Sequence, residues 1–99
     1  MRWMWDERKA AANLKKHGVP FELAALALDD PFSLAEPDPH PDGDRWDVLC
    51  QLNNTTLFVV TAWTASTDSE TGRIISARKA TSRERRQYHE HWRAEAPDA

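Results

Sequence analysis

Sulfur chemistry is nearly absent from this 99-residue chain: Cys50 is its one cysteine, so no internal disulfide can form. Its neighbours Leu49 and Leu52 point to a buried strand position rather than a reactive thiol. Also missing is any apolar run near the roughly 20 residues a membrane helix needs. The opening Met1-Arg2-Trp3-Met4-Trp5-Asp6 lacks the apolar core of a signal peptide, and a cytoplasmic location is expected. Metal-ligand spacing is lacking too. His40, His89 and His91 have no Cys or carboxylate at a suitable interval, and His89 and His91 would project about 200° apart on a helix. Neither a metal nor another cofactor is expected, and no internal repeat or low-complexity tract appears.

What is present is ordinary for one globular domain, with 40% hydrophobic and 29% charged residues. That domain is expected over residues 1–93, with 94–99 a disordered tail. Five Trp are many for such a length, and their rings are expected to supply much of the core. The formal charge of −3 conceals three unlike blocks: residues 1–17 carry a net +3, residues 18–72 a net −9 and residues 73–99 a net +3. If the two basic ends meet in space they form a surface suited to a phosphate backbone, which the total charge alone would argue against.

The pattern predicts a short strand at Arg2–Trp5, then a helix from Asp6 as N-cap to His17, closed by Gly18. Its inward stripe is read as Ala10, Ala11 and Leu14. Val19-Pro20 restarts the chain into a second helix, Phe21–Leu28, ended by Asp29-Asp30-Pro31. Phe32–Glu36 reads as a short strand, and the Pro- and Asp-rich stretch 37–44 as an exposed loop. From Arg45 the period becomes two, with Trp46, Val48, Cys50 and Leu52 on one face. Asn53-Asn54 suits a tight hairpin, and Leu57–Trp63 is apolar enough to be a central strand buried on both faces. After a polar loop, Ser66–Gly72, comes a strand at Arg73–Lys79. Thr81 with Glu84 forms a capping box that starts a last helix running to about Arg93. The order β-α-α-β-β-β-β-α indicates an α+β fold with a mostly antiparallel sheet and the helices packed on one face.

Set in this order, the residues Trp5-Asp6 with Lys9, Asn13-x-x-Lys16-His17-x-Val19-x-Phe21, Asp30-Pro31, Arg45-Trp46 and Arg73-Ile74-Ile75-Ser76-Ala77-Arg78-Lys79-Ala80, followed by Glu84-Arg85 and Tyr88, resemble the BrnT toxins of bacterial type II toxin–antitoxin modules. The resemblance spans almost the whole chain, and the run from Arg73 is its specific part. It implies a RelE-like fold, an RNA-cleaving activity that inhibits translation, and a neighbouring antitoxin with a ribbon-helix-helix domain, through which alone operator DNA would be bound. Two departures stand out: Cys50 occupies a usual Gly position, and no Arg follows soon after Thr64.

A ribonuclease that works without metal uses the substrate's own 2′-hydroxyl as nucleophile. It needs a proton acceptor, a proton donor and cations for the charge that builds on the phosphate. Arg78 leads the candidates, because a guanidinium matches phosphate geometry and stays charged; an ion pair with Glu84 is its structural alternative. His17 can exchange a proton near neutrality or simply face a helix C-terminus. Lys16 would supply charge, and the three are expected to act on one phosphate. Tyr88 is a candidate donor or a docking residue, and Glu84 a capping partner or a base. For RNA binding the candidates are Arg45, Trp46, Lys79 and Arg85, Trp46 by stacking on a base. The competing reading, which the missing loop Arg favours, is a non-catalytic binding module or a co-repressor that acts only with the antitoxin.

Overall fold

Asp6 opens the first helix as the sequence predicts. Its backbone is extended and its carboxylate accepts hydrogen bonds from the N–H groups of Arg8 (2.8 Å) and Lys9 (3.2 Å), satisfying donors that a first helical turn leaves unpaired. Gly18 closes the same helix at φ 72°, donating to the Leu14 carbonyl, a left-handed cap for which glycine is best suited. The computed structural model describes residues 2–40, 43–63 and 71–95, the last three without side-chain surroundings. Its elements are β1 (Arg2–Met4), α1 (Glu7–His17), α2 (Phe21–Ala27), β2 (Leu34–Pro37), β3 (Arg45–Leu52), β4 (Thr55–Trp63), β5 (Thr71–Lys79) and α3 (Ser82–Glu95). The loop expected at 66–72 lies outside the described residues apart from Thr71 and Gly72, which belong to β5. The expected tail lies outside them from residue 96, and Ala94 and Glu95 belong to α3.

The five strands form one sheet in the order β1-β5-β4-β3-β2, in which β1 runs parallel to β5 and every other pair is antiparallel. Asn53 (φ 49°) and Asn54 (φ 69°) make the tight β3–β4 turn, two consecutive left-handed residues as a hairpin of this twist requires. One residue of β5, Ile75, is extra where Val60 pairs with Ser76 and Thr61 with Ile74, a bulge that bends the sheet.

Alternation along the strands divides the side chains between two layers. Val48, Cys50, Leu57, Val59, Ile74 and Ala77 meet Val19, Phe21, Ala24 and Ala27 in the main core. Leu49 and Phe58 point the other way and meet Leu34, Ala80 and Tyr88. The α+β class and element order are those expected, but the helices are not on one face: α2 covers the first layer and α3 the second. The second face of β4 is only half covered, so that strand is not fully buried on both sides.

Two further expectations are corrected by packing. The inward residue of α1 is Asn13, while Ala11 and Leu14 are exposed. Asn13 Nδ2 donates to the carbonyls of Val19 (3.1 Å) and Ala77 (2.8 Å), and its Oδ1 accepts from Ala77 N–H (3.1 Å). Since β1 pairs only with Thr71–Arg73, this one side chain stands in for a neighbouring strand at the rest of the β5 edge. None of the five tryptophans is fully buried. The core is closed by Phe21, Leu57, Ile74, Val19 and Val59, because the alanines of α2 bring the helix too close to the sheet for indoles. The rings ring the core instead: Trp3 packs edge-on to Trp63 at 5.5 Å, and Trp5 edge-on to Phe21 at 6.1 Å. A Cβ at Gly72 would run into the Trp3 ring.

Candidate active site

Arg78 pairs across the sheet with Phe58 and so emerges on the α3 side. Its guanidinium carbon lies 4.2 Å from the centre of the Phe58 ring, leaning inward over β4. Nη1 and Nη2 donate to Glu84 Oε1 (2.8 Å) and Oε2 (3.0 Å), and Nη1 also to the Lys79 carbonyl (3.3 Å). Glu84 simultaneously closes the capping box: Thr81 N–H donates to its Oε1 at 2.9 Å, and Glu84 N–H donates to Thr81 Oγ1 at 3.2 Å. The hydrogen bonds to Arg78, against burial, hold the Glu84 carboxyl below its usual range, and the same bonds raise Arg78 further above neutrality. Among the described residues three of the five guanidinium N–H donors are thus engaged, and the side chain remains 35% exposed. A fixed, partly open guanidinium with donors in reserve is suited to an anion.

Beside it is a cleft of about 60 Å³ floored by Leu34, Leu49 and Phe58 and walled by Glu36, Asp47, Glu84 and Gln87. Asp47 is its unusual member. It sits in mid-strand opposite Glu36 on one side and Val60 on the other, and its Oδ1 is buried with no hydrogen-bond partner among the described residues. Burial above all, then the hydrogen bond and repulsion from Asp38 and repulsion from Glu36, push its carboxyl up to about 6, with Arg78 pulling the other way. Sequence reasoning passed over Asp47 as one polar residue on the outer face of an alternating strand. The available signal was the depletion of Asp from strand interiors.

The other candidates scatter. Tyr88 is on the same side but buried, and its hydroxyl donates to Asp30 Oδ2 at 2.5 Å; burial, then that carboxylate, raise its ionisation beyond the ordinary tyrosine range. Asp30 also accepts from the N–H of Gln51 (2.9 Å) and of Phe32 (3.0 Å), so the Tyr88 proton is committed to fastening α3 to the edge of β3. Arg45 shares the Arg78 face, whereas Trp46, its neighbour, lines the opposite face with Trp3 and Trp63. With a period of two the pair cannot hold one nucleotide together. Lys79 and Arg85 are exposed, Arg85 donating to Ser82 Oγ at 3.0 Å.

His17 and Lys16 lie in the last turn of α1. Asn13 fastens α1 to the outer edge of β5, and the Arg78 guanidinium leans the other way, over Phe58. Among the described residues no hydrogen bond or ion pair links His17 or Lys16 to the Arg78 group. Ala77, which Asn13 holds, and Arg78 are successive on one strand and project to different sides of the sheet. Among the described residues there is also no group of three or more His, Cys, Asp or Glu arranged to hold a metal ion, and no helix is long and apolar enough to cross a membrane.

A family model described as the ribonuclease toxin BrnT of type II toxin–antitoxin systems matches residues 5–84. The chain belongs to the BrnT family. No curated protein matches it. The matched span of this BrnT chain contains Asp47, Arg78 and Glu84, and ends before Tyr88 and Arg85. Family membership makes it a ribonuclease toxin with an antitoxin partner and RNA as substrate.

Proposed function

We propose that this BrnT toxin is a cytoplasmic, metal-independent endoribonuclease that cleaves RNA laid across the uncovered part of the α3-side sheet face and so inhibits translation. A ribbon-helix-helix antitoxin would silence it and would alone confer operator binding. The observation that carries this reading is the Arg78 guanidinium, fixed by Glu84 and Phe58 yet open to solvent beside a cleft. Arg45 and Arg73 share its face, both paired with Ala62 from opposite sides, and provide further phosphate contacts. Lys79, Arg85 and the basic last turn of α1 are left for flanking stretches of RNA, and Glu84 and Tyr88 act as supports.

Purified toxin should cut RNA in excess EDTA, and Arg78→Ala should lower cleavage about 10²- to 10³-fold, as expected for one donor to a transition-state oxyanion. Circular dichroism would establish that the variant folds. A specific observation favours the second reading, that of a non-catalytic module: the Glu84 bond ties Arg78 into docking α3. On that reading Arg78→Ala lowers stability, and neither protein cuts RNA.

A further inference from the structure

Asp47 occupies a position that costs stability and that packing does not demand. Its β4 partner is Val60, and a β-branched residue would fill the place without burying a charge. Instead a carboxyl is held with one oxygen buried and, among the described residues, unpartnered, and with two acidic side chains beside it, Glu36 of β2 and Asp38 just after that strand. Proteins keep such local conflicts where chemistry needs them. The placement suits one chemistry in particular. Asp47 lines the same cleft as Glu84 and Phe58, and over Phe58 hangs the Arg78 guanidinium. A phosphate held by the free donors of Arg78 would lie above β4, with the β3 carboxyl at its flank.

We propose that Asp47 is the proton acceptor for RNA cleavage, taking the proton of the 2′-hydroxyl next to a phosphate held by Arg78; this rests on the ribonuclease reading. The carboxylate takes the proton as the 2′-oxygen bonds to phosphorus. The bond from phosphorus to the 5′-oxygen breaks, and that oxygen keeps the electron pair. Asp47 then returns the proton through water to the departing oxygen, leaving a 2′,3′-cyclic phosphate and a 5′-hydroxyl. The unpartnered oxygen matters because a carboxylate short of hydrogen-bond donors is the stronger base. The groups that face it are Glu36 from β2, Asp38 just after that strand, Arg78 from β5, Glu84 from α3 and, on the same face of its own strand, Arg45.

The test is the pH profile of kcat for cleavage of a short single-stranded RNA, with Asp47→Asn compared with wild type. Wild type should show an acidic limb with a midpoint near 6, where the carboxylate is lost. Asp47→Asn should cost about 10²- to 10⁴-fold in kcat, lose the limb and leave KM little changed, while its thermal midpoint does not fall. Arg78→Ala should keep the limb, its midpoint moved up by loss of the neighbouring cation, on a lower rate. Cleavage by Asp47→Asn with the limb intact, or a wild-type profile without the limb, overturns the assignment and leaves the ribonuclease reading standing. Failure of wild type to cut any RNA overturns both. Substrate with a single 2′-deoxy sugar at the cut site should resist cleavage, and its cleavage would also overturn the assignment.

Discussion

At the scale of single residues, the energetic cost and the chemical use of Asp47 can be measured separately. Its folded-state carboxyl titrates at about 6 against an ordinary 3.8, so between those values the folded chain binds more protons than the unfolded one. Stability falls as pH rises through that window and stays low above it. Asp47→Asn removes the penalty. It should raise unfolding free energy at pH 8 by about 1 kcal/mol after allowance for solvent screening, and by nothing below about pH 4, as read from urea melts. A variant more stable yet inactive would separate Asp47 from residues that merely support the fold. Tyr88→Phe works in the opposite sense. It leaves the Asp30 carboxylate with one donor fewer in a part-buried place and should cost about 1.5 to 3 kcal/mol, with cleavage retained by the folded fraction. Arg78 and Glu84 were legible in the sequence because a capping box and a strand-end arginine are local patterns. Asp30 and Asp47 were not, since what sets each apart is a neighbour some 21 or more positions away or a buried oxygen.

At the scale of elements, caps and periodicity located nearly everything. Asp6, Gly18, the Asn53-Asn54 turn and the Thr81–Glu84 box fix boundaries through short-range hydrogen bonds, and short-range bonds are written in adjacent residues. The placement of α3 on the second face was the part that local patterns hid. Its trace was Leu49, an apolar residue on the polar side of β3, and Phe58 beside it across the hairpin: a sheet with apolar residues on both faces asks for cover on both. Asn13 was hidden likewise, because a polar side chain on a helix is read as exposed until a bare strand edge appears beside it. Its three hydrogen bonds to Val19 and Ala77 join α1, the following turn and β5. Asn13→Ala would leave one N–H and two carbonyls unpaired in a buried place, and a loss of about 2 to 4 kcal/mol in unfolding free energy is expected from the desolvation of those groups. Hydrogen exchange should then quicken first at Ala77, the amide Asn13 covers. Equal protection of that amide in both proteins would mean that another group seals the edge.

For the whole molecule, net charge was a poor guide and the distribution of charge a better one. Strand alternation and register place Arg45, Arg73 and Arg78 on one sheet face although they come from two different charge blocks, and no reading of the blocks alone could choose that face over its opposite. The acidic middle contributes Glu36, Asp38 and Asp47 to the same surface, so a phosphate backbone must follow the arginines and skirt β2. Binding of uncleavable single-stranded RNA should therefore weaken with salt, but only moderately. Three arginine contacts correspond to a slope of log K against log salt of about −2, each phosphate on a single strand contributing about −0.7. Arg45→Gln should flatten the slope by one such step and weaken binding for all sequences alike, because a phosphate contact carries no base information. Trp46→Ala, on the opposite face, should leave both slope and affinity unchanged. An unaltered slope in Arg45→Gln together with a weakened Trp46→Ala would place the RNA on the tryptophan-lined side and move the site away from Arg78.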